Sequence, residues 1–252
     1  MFGEPPRTQA DLNFSLLGFP VRIHPLFWLV TVLLGQGYWK PPELALLWVG
    51  GVLVCILLHE LGHALTYRRY GFRPWIVLHW LGGLTIHSPD DMEGREPGPW
   101  GQMLISAAGP AAGFLLAAAI VAGFRALAPQ PLLVLWYGPA SFLRVVPMIL
   151  WNPHWLKTME FVNIVLEVSV LWGLLNLLPI LPLDGGHIAQ QVFVLASPRD
   201  AVRQSLVLSV LLAGTLAGVA VIYRQDWYLA LFFGGLAYVN YSALKFYGGP
   251  LG

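Results

Sequence analysis

The chain has 252 residues, of which 57% are apolar and only 11% are charged, and its formal net charge is +1. Soluble domains usually carry about 25% charged residues, so this composition, with several long apolar runs, predicts an integral membrane protein. The runs are continuous rather than alternating, which favours helices over a barrel, and the near-neutral charge gives no reason to expect a nucleic-acid partner. The single cysteine excludes an internal disulfide framework.

The amino-terminal part predicts a polar start, a strand and two helices. Residues 1–13 are polar, and residues 14–24 have the pattern of a short surface strand. The first helix is expected over about 25–38, which is short for a membrane span. A Lys-Pro-Pro turn precedes the second helix, which is expected over about 43–67 and is apolar enough to cross a bilayer.

The second predicted helix contains the sequence His59-Glu60-Leu61-Gly62-His63. Residues four apart lie on one face of a helix, so His59 and His63 can bind one metal ion, with Glu60 beside them as a general base. This pattern is the signature of zinc hydrolases. Ionisable groups at membrane depth are costly unless they have a function, so a zinc site inside the membrane is predicted.

The remaining chain predicts one surface hairpin and four further helices. Residues 72–88 are rich in β-branched and aromatic types and are broken by Gly82-Gly83, which predicts two strands around a glycine turn. Helices are expected over about 100–124, 158–179, 201–223 and 227–246, whereas 132–151 is apolar but interrupted. The predicted fold is therefore an all-α polytopic membrane protein with about six transmembrane helices and a small membrane-surface β-hairpin. It forms a single domain over 1–252, with its core in 20–200 and two additional helices in 201–247.

A catalytic zinc needs three protein ligands and one open position, and Asp184 is the best candidate for the third. It lies in Asn176-Leu-Leu-Pro-Ile-Leu-Pro-Leu-Asp184-Gly-Gly-His, where two prolines end the fourth helix and two glycines allow a sharp turn. Unwound backbone at membrane depth survives only where it is buried or lines a wet cavity. Such a stretch, ending in an aspartate, is what a ligand on a second helix requires.

The sequences HELGH and NLLPILPLDGGH together resemble the site-2 protease family of intramembrane zinc metalloproteases, as do the GPAAG stretch from Gly109 and the glycine pair of the hairpin. The resemblance covers roughly residues 20–200. It implies the roles of the following residues. The zinc ligands would be His59, His63 and Asp184; the catalytic base would be Glu60; and the substrate-binding residues would be Asn176, Gly82 and Gly83. The inserted PDZ domain and the carboxyl-terminal CBS pair that accompany this domain in the family it resembles are not expected in these 252 residues.

Membrane orientation follows from charge and from the two zinc motifs. If 132–151 does not span, both termini and the segments 68–99 and 183–200 lie on one side, with nine basic residues against five on the other. The excess predicts that this side is cytoplasmic. An extra span at 132–151 would reverse the fourth helix and carry Asp184 away from the histidines. This segment is therefore expected to be re-entrant or to lie at the outer interface.

The leading functional hypothesis is an intramembrane zinc endopeptidase that cleaves a transmembrane segment of another protein, as in regulated intramembrane proteolysis. It predicts one zinc per chain, contact with membrane lipid, and a plasma (inner) membrane location in a bacterium or archaeon. A second hypothesis is a membrane zincin of CAAX-protease type, which would need Glu160 or Glu167 as its third ligand. A third is an inactive homologue that binds membrane proteins as a scaffold, and a fourth is a metal transporter.

Overall fold

The computed structural model describes residues 4–38, 41–88, 97–127, 133–137, 141–146, 156–224 and 226–247. These residues divide into two compact units. The first unit takes its described residues from 4–94 and 108–174, and the second unit takes them from 97–107 and 175–247. The predicted histidine motif lies in the first unit, and the predicted Asp184 motif lies in the second.

A four-stranded sheet forms one part of the first unit. Its strands are β1 (Leu12–Leu16), β2 (Phe19–Ile23), β3 (Trp75–His79) and β4 (Gly82–Ile86), in the order β1-β2-β3-β4. The β1/β2 and β3/β4 pairs are antiparallel, and β2 runs parallel to β3. The hairpin predicted in 72–88 is therefore confirmed, and the structure is mostly helical, as predicted. The β-structure is larger than the predicted hairpin, because the sheet joins that hairpin to the amino-terminal strands.

The glycine pair does not form the hairpin turn that the sequence predicts. Trp80 and Leu81 connect the two strands, and Gly82 and Gly83 are the first residues of β4. Gly82 has φ +117°, a value that side chains disfavour. Glycine is therefore favoured at the start of β4 for two reasons. Gly82 has a positive φ, and side chains from other elements lie directly against both glycines.

Helix α1 (Pro25–Leu34) is shorter than predicted, and helix α2 (Pro42–Arg69) is longer. At 1.5 Å per residue, α1 is only about 15 Å long, half the thickness of a hydrocarbon core. It ends at Gly35, where a Cβ atom would overlap the Trp48 indole of α2. Trp48 also donates a 2.8 Å hydrogen bond from Nε1 to the Thr31 carbonyl. Packing against α2 thus ends the helix, and a 3-10 turn at Gln36–Tyr38 follows.

The sheet packs along the carboxyl-terminal half of α2. Its buried apolar face and the facing α2 side chains form the main hydrophobic core of the first unit. These residues are Val21, Ile23, Ile76 and Leu78 on the sheet and Val52, Ile56, Leu61 and Ala64 on α2.

Two further helices lie largely in the first unit. They are α3 (Pro99–Leu127), from residue 108 onward, and α4 (Leu156–Asn176), up to residue 174. Small residues allow close approach: a Cβ at Gly62 of α2 would overlap the Ala108 carbonyl of α3. Between α2 and α4, the Cys55 thiol donates to the Val165 carbonyl at 3.4 Å and accepts from Ser169 Oγ at 3.3 Å. The single cysteine therefore joins two helices.

The described part of segment 132–151 is not helical. It forms two antiparallel strands, β5 (Leu133–Tyr137) and β6 (Ser141–Val146), with an irregularity between Leu135 and Tyr137. This agrees with the expectation that no helix spans the membrane here. Its predicted re-entrant or outer-interface position stays a prediction.

In the second unit, helices α5 (Asp184–Ala196), α6 (Ala201–Val219) and α7 (Trp227–Tyr247) follow the loop after α4. Helix α5 lies in a segment for which no helix was predicted. A Cβ at Gly185 would overlap the Leu177 carbonyl, and one at Gly186 would overlap the backbone of Ile180 and Leu181. The two glycines are thus in the first turn of a helix and make room for the preceding loop.

Among the described residues, four helices are long and apolar enough to cross a membrane: Pro42–Arg69, Pro99–Gly123, Ala201–Tyr223 and Trp227–Tyr247. Their mean hydropathies run from 1.2 to 2.4. A multi-pass membrane protein follows from these helices. The expected total of about six spans stays a prediction.

Candidate metal centre

His59 and His63 lie one helical turn apart on α2, and both are buried, with 3% and 7% exposure. Their Nε2 atoms are 3.2 Å apart. Two nitrogens bound to one tetrahedral zinc at about 2.0–2.1 Å lie about 3.3 Å apart. Together with Glu60 they form a cluster whose ligand atoms all lie within 4.8 Å of one another. The donor set and its spacing therefore fit a zinc ion.

Gly109 of α3 provides the space beside the two imidazoles. A Cβ built there would overlap Nε2 of His63 and would lie 2.7 Å from Nε2 of His59. A side chain at this position would occupy the volume beside both predicted ligand atoms. The sequence indicates only a family resemblance for the Gly109 stretch, and the structure adds its close approach to the two predicted metal ligands.

Glu60 is 3% exposed and is contacted by strand β4. The Thr85 hydroxyl lies 2.7 Å from Glu60 Oε2 and 3.1 Å from the Glu60 backbone carbonyl. A Cβ at Gly83 would overlap the Glu60 side chain, so the glycine lets the strand approach the carboxylate. Sequence reasoning missed Thr85, because only the fold brings β4 to this turn of α2.

The other predicted site residues lie on β4, α4 and α5. Gly82 faces the Trp172 indole of α4, where a Cβ would lie 2.6 Å from the ring. In the second unit, Asn176 is the last residue of α4 and is buried, and Asp184 is the first residue of α5. The structure thus brings together His59, Glu60 and His63, with Gly83 beside Glu60.

The sheet also buries charged and polar groups at Arg22, His24 and His79. Burial, with the nearby charges of His24 and Arg22, lowers the pKa of His79. Its Nδ1 accepts a 3.3 Å hydrogen bond from the Leu81 N–H, which suits a neutral ring. Arg22 in turn binds Asp11 at 2.9 Å and Glu4 at 2.8 Å. The ion pairs of Arg22 thus hold residues 4–11 on the sheet.

Fold and site together define a class of protein: a multi-pass membrane protein whose apolar helix α2 carries a buried His-Glu-x-x-His cluster of zinc-hydrolase type. The profile of Peptidase family M50 matches residues 48–218, more than half of the chain. The chain therefore belongs to the M50, or site-2 protease, family. The resemblance drawn from the two motifs is confirmed.

Curated relatives come from bacteria and an archaeon. Rip3 of Mycobacterium tuberculosis (strain H37Rv) is 31% identical over 192 residues, which cover 69% of this chain and 41% of Rip3. Protein sll0528 of Synechocystis is 27% identical over 191 residues, with 71% and 42% covered. Zinc metalloprotease MJ0392 of Methanocaldococcus jannaschii is 26% identical over 213 residues, with 81% and 53% covered. The names of all three assign them to the zinc metalloproteases. The chain spans about half the length of these relatives or less.

Among solved structures, a site-2 protease from Methanocaldococcus jannaschii matches with a TM-score of 0.56 and 18% sequence identity. The match covers 93% of this chain and 95% of that chain. At this identity the comparison shows a shared fold.

Proposed function

We propose that the protein is an intramembrane zinc endopeptidase that cleaves a peptide bond within or near a transmembrane segment of another membrane protein. One observation carries the proposal: the buried His59, Glu60 and His63 cluster lies on a 28-residue helix that is apolar enough to cross a membrane. The names of the relatives support zinc protease chemistry, and their bacterial and archaeal sources support the plasma membrane of such an organism.

His59 and His63 would hold the zinc, with Asp184 as the third ligand that the motif resemblance implies. A bound zinc supplies Lewis acidity that activates water and polarises a peptide carbonyl. Glu60 takes the proton from the attacking water and passes it to the leaving amine. The Thr85 hydroxyl orients the Glu60 carboxylate for both transfers, since it is 2.7 Å from Oε2.

Strand β4 is the proposed docking edge for the substrate. A transmembrane helix hides its carbonyl groups in its own hydrogen bonds, so it must unwind before hydrolysis. In the described sheet β4 pairs with β3 alone, and its Thr85 and Gly83 adjoin Glu60. An open sheet edge at membrane depth needs a partner or a wet cavity. An unwound substrate added as a strand to β4 would satisfy it and would lie next to the base.

The CAAX-type hypothesis requires a glutamate from a later helix as the third ligand. Both candidates, Glu160 and Glu167, lie on α4. The profile that matches residues 48–218 is that of Peptidase family M50, which supports the site-2 type instead. No second function is therefore proposed.

The ligand set is tested by metal analysis of detergent-purified protein. We expect about one zinc per chain in the wild type and a marked loss in His63→Ala and in Asp184→Ala. The neighbouring Asp200→Asn, outside both motifs, serves as the matched control. Wild-type zinc content in Asp184→Ala would remove that residue from the ligand set.

Proteolysis is tested without a known substrate. Wild-type and Glu60→Gln proteins are incubated separately with detergent-solubilised membrane proteins, and new amino termini are mapped by mass spectrometry. We expect termini inside predicted transmembrane segments with the wild type only, and their loss on addition of a zinc chelator. If Glu60→Gln produced the same set of termini, the proposed function would be wrong.

A further inference from the structure

The loop between α4 and α5 is held by side chains from the last two helices of the second unit. The Leu181 N–H donates to Ser209 Oγ of α6 at 2.9 Å. The Leu181 carbonyl accepts from Asn240 Nδ2 of α7 at 2.6 Å. Both side chains are 0% exposed. One residue of irregular backbone therefore has both of its polar groups bound by side chains from two different helices.

Each of these side chains is oriented by its own helix. The Ser209 hydroxyl donates to the Ser205 carbonyl at 2.7 Å, which turns its lone pairs toward Leu181. The Asn240 amide also donates to the Leu236 carbonyl at 2.8 Å. Its Oδ1 is buried and has no hydrogen-bond partner among the described residues. An unsatisfied buried acceptor is costly, so the contribution of Asn240 comes from its amide donors, which bind the Leu181 and Leu236 carbonyls.

Contacts around the loop also fix the position of Asp184, which follows Leu181 in the chain. Ile180, beside Leu181, is fully buried against the α6 and α7 side chains Ala213 and Phe233. On the other side of Asp184, the glycines at the start of α5 lie directly on the loop backbone. Asp184, three residues after Leu181, begins the helix that rests on this loop. Its location is therefore set from both sides.

We propose that Ser209 and Asn240 are positioning residues that fix the Asp184 carboxylate as a metal ligand through the Leu181 backbone. Helices α6 and α7 then have a role in the metal site in addition to crossing the membrane. At membrane depth no water replaces a lost partner of Leu181, so removal of either side chain shifts the loop. The inference rests on the proposed function, because it takes Asp184 as the third ligand.

The test uses the full chain loaded with Co²⁺, whose visible d–d spectrum reports ligand number and geometry. Ser209→Ala removes the acceptor of the Leu181 N–H, and Asn240→Leu removes the donor to the Leu181 carbonyl. Ser205→Ala is the matched control, because its buried hydroxyl donates only to its own helix, at the Val202 carbonyl. We expect altered spectra and about tenfold weaker zinc binding in a chelator competition for the two variants, and wild-type behaviour for Ser205→Ala. Hydrogen exchange of the peptide covering 177–187 is expected to be faster in the same two variants.

Asp184→Ala separates failure of this inference from failure of the proposed function. If Asp184→Ala changes the Co²⁺ spectrum while Ser209→Ala and Asn240→Leu do not, the ligand set stands and the positioning role is wrong. If Asp184→Ala leaves the spectrum unchanged, the proposed ligand set fails, and the inference fails with it. If one variant does not fold, the other decides, because each acts on a different atom of Leu181. If Ser205→Ala changed the Co²⁺ spectrum and zinc affinity as much as the other two variants, the effects would reflect general helix packing and not the contacts with Leu181. That result would overturn the inference.

Discussion

Thr85 is the polar side chain that reaches Glu60 from the hairpin, at 2.7 Å from Oε2. A hydrogen bond to a charged group contributes about 1.5–3 kcal/mol, so its loss is expected to slow a step that depends on the carboxylate's orientation by about ten- to a hundredfold. We therefore predict that Thr85→Val lowers kcat for cleavage of a transmembrane substrate by that factor and changes KM little. The measurement is the initial rate over a range of substrate concentrations in detergent.

Thr85→Ser is the matched control, because it keeps the hydroxyl and removes only the methyl group. It is expected to retain most of the wild-type rate. Equal activity of Thr85→Val and wild type would show that the contact does not orient the base. A rise in KM alone would instead place Thr85 in substrate binding.

A second prediction for a single residue concerns Gly109, because no side chain fits beside the two imidazoles. Gly109→Ala is expected to abolish zinc binding, since its Cβ would overlap His63 Nε2. Gly123→Ala on the same helix is the control, because a Cβ there meets nothing within 4 Å. Both substitutions raise the helix propensity of α3 by about 1 kcal/mol. They differ only in the contact of the new Cβ atom with the imidazoles, which Gly109→Ala alone creates. The measurement is the zinc content of the two purified variants. Zinc retained by Gly109→Ala would show that the metal does not lie beside Gly109.

At the scale of elements, the amino-terminal segment 4–11 is tied to the sheet by Arg22, which binds both Asp11 and Glu4. Hydrogen bonds from Thr8, with the hydrogen bond and charge of Arg22, lower the pKa of Asp11 from 3.8 to about 2, against the opposing effect of burial. The ionised carboxylate thus favours the docked segment. This contribution is fully present above about pH 4 and is lost as the pH falls through about 2.

Asp11→Asn is accordingly expected to loosen this segment at neutral pH. Hydrogen exchange of the peptide covering 4–16 should become severalfold faster, with exchange in α6 and α7 unchanged. Glu4→Gln removes the partner that is more exposed, 31% against 2% for Asp11, and should have a smaller effect. Equal exchange in wild type and Asp11→Asn would show that the ion pair does not hold the segment.

The sequence predicts those helices and strands that are held together by residues close to one another in the chain. The HELGH helix and the hairpin follow from residue spacing and type, because a helical turn and a strand pair are short-range features. The joined sheet was not predictable, since the parallel pairing of β2 with β3 connects Arg22 to Val77. Helix α5 was missed for a related reason. Its two initial glycines have low intrinsic helix propensity, and their contact with the preceding loop is a tertiary effect.

On the scale of the whole molecule, orientation in the membrane is the main untested prediction. Arg68 of α2 donates to the Leu17 carbonyl at 3.2 Å, and its guanidinium lies 4.5 Å from the centroid of the Phe19 ring. The β1–β2 turn therefore lies beside the basic end of α2, which agrees with the expectation that the amino terminus and this helix end share one side. The positive-inside rule predicts that this side is cytoplasmic.

Cysteine mapping tests this orientation, because the single native cysteine, Cys55, is buried and can be replaced by alanine. Glu43 and Arg69 lie at opposite ends of α2 and are both exposed. In intact bacterial cells, a membrane-impermeant maleimide is expected to label Glu43→Cys and to leave Arg69→Cys and Thr8→Cys unlabelled. All three should react after solubilisation. The reverse pattern would invert the topology and place the basic side outside, and labelling of both α2 positions from outside would mean that this helix, and the zinc motif it carries, does not cross the membrane.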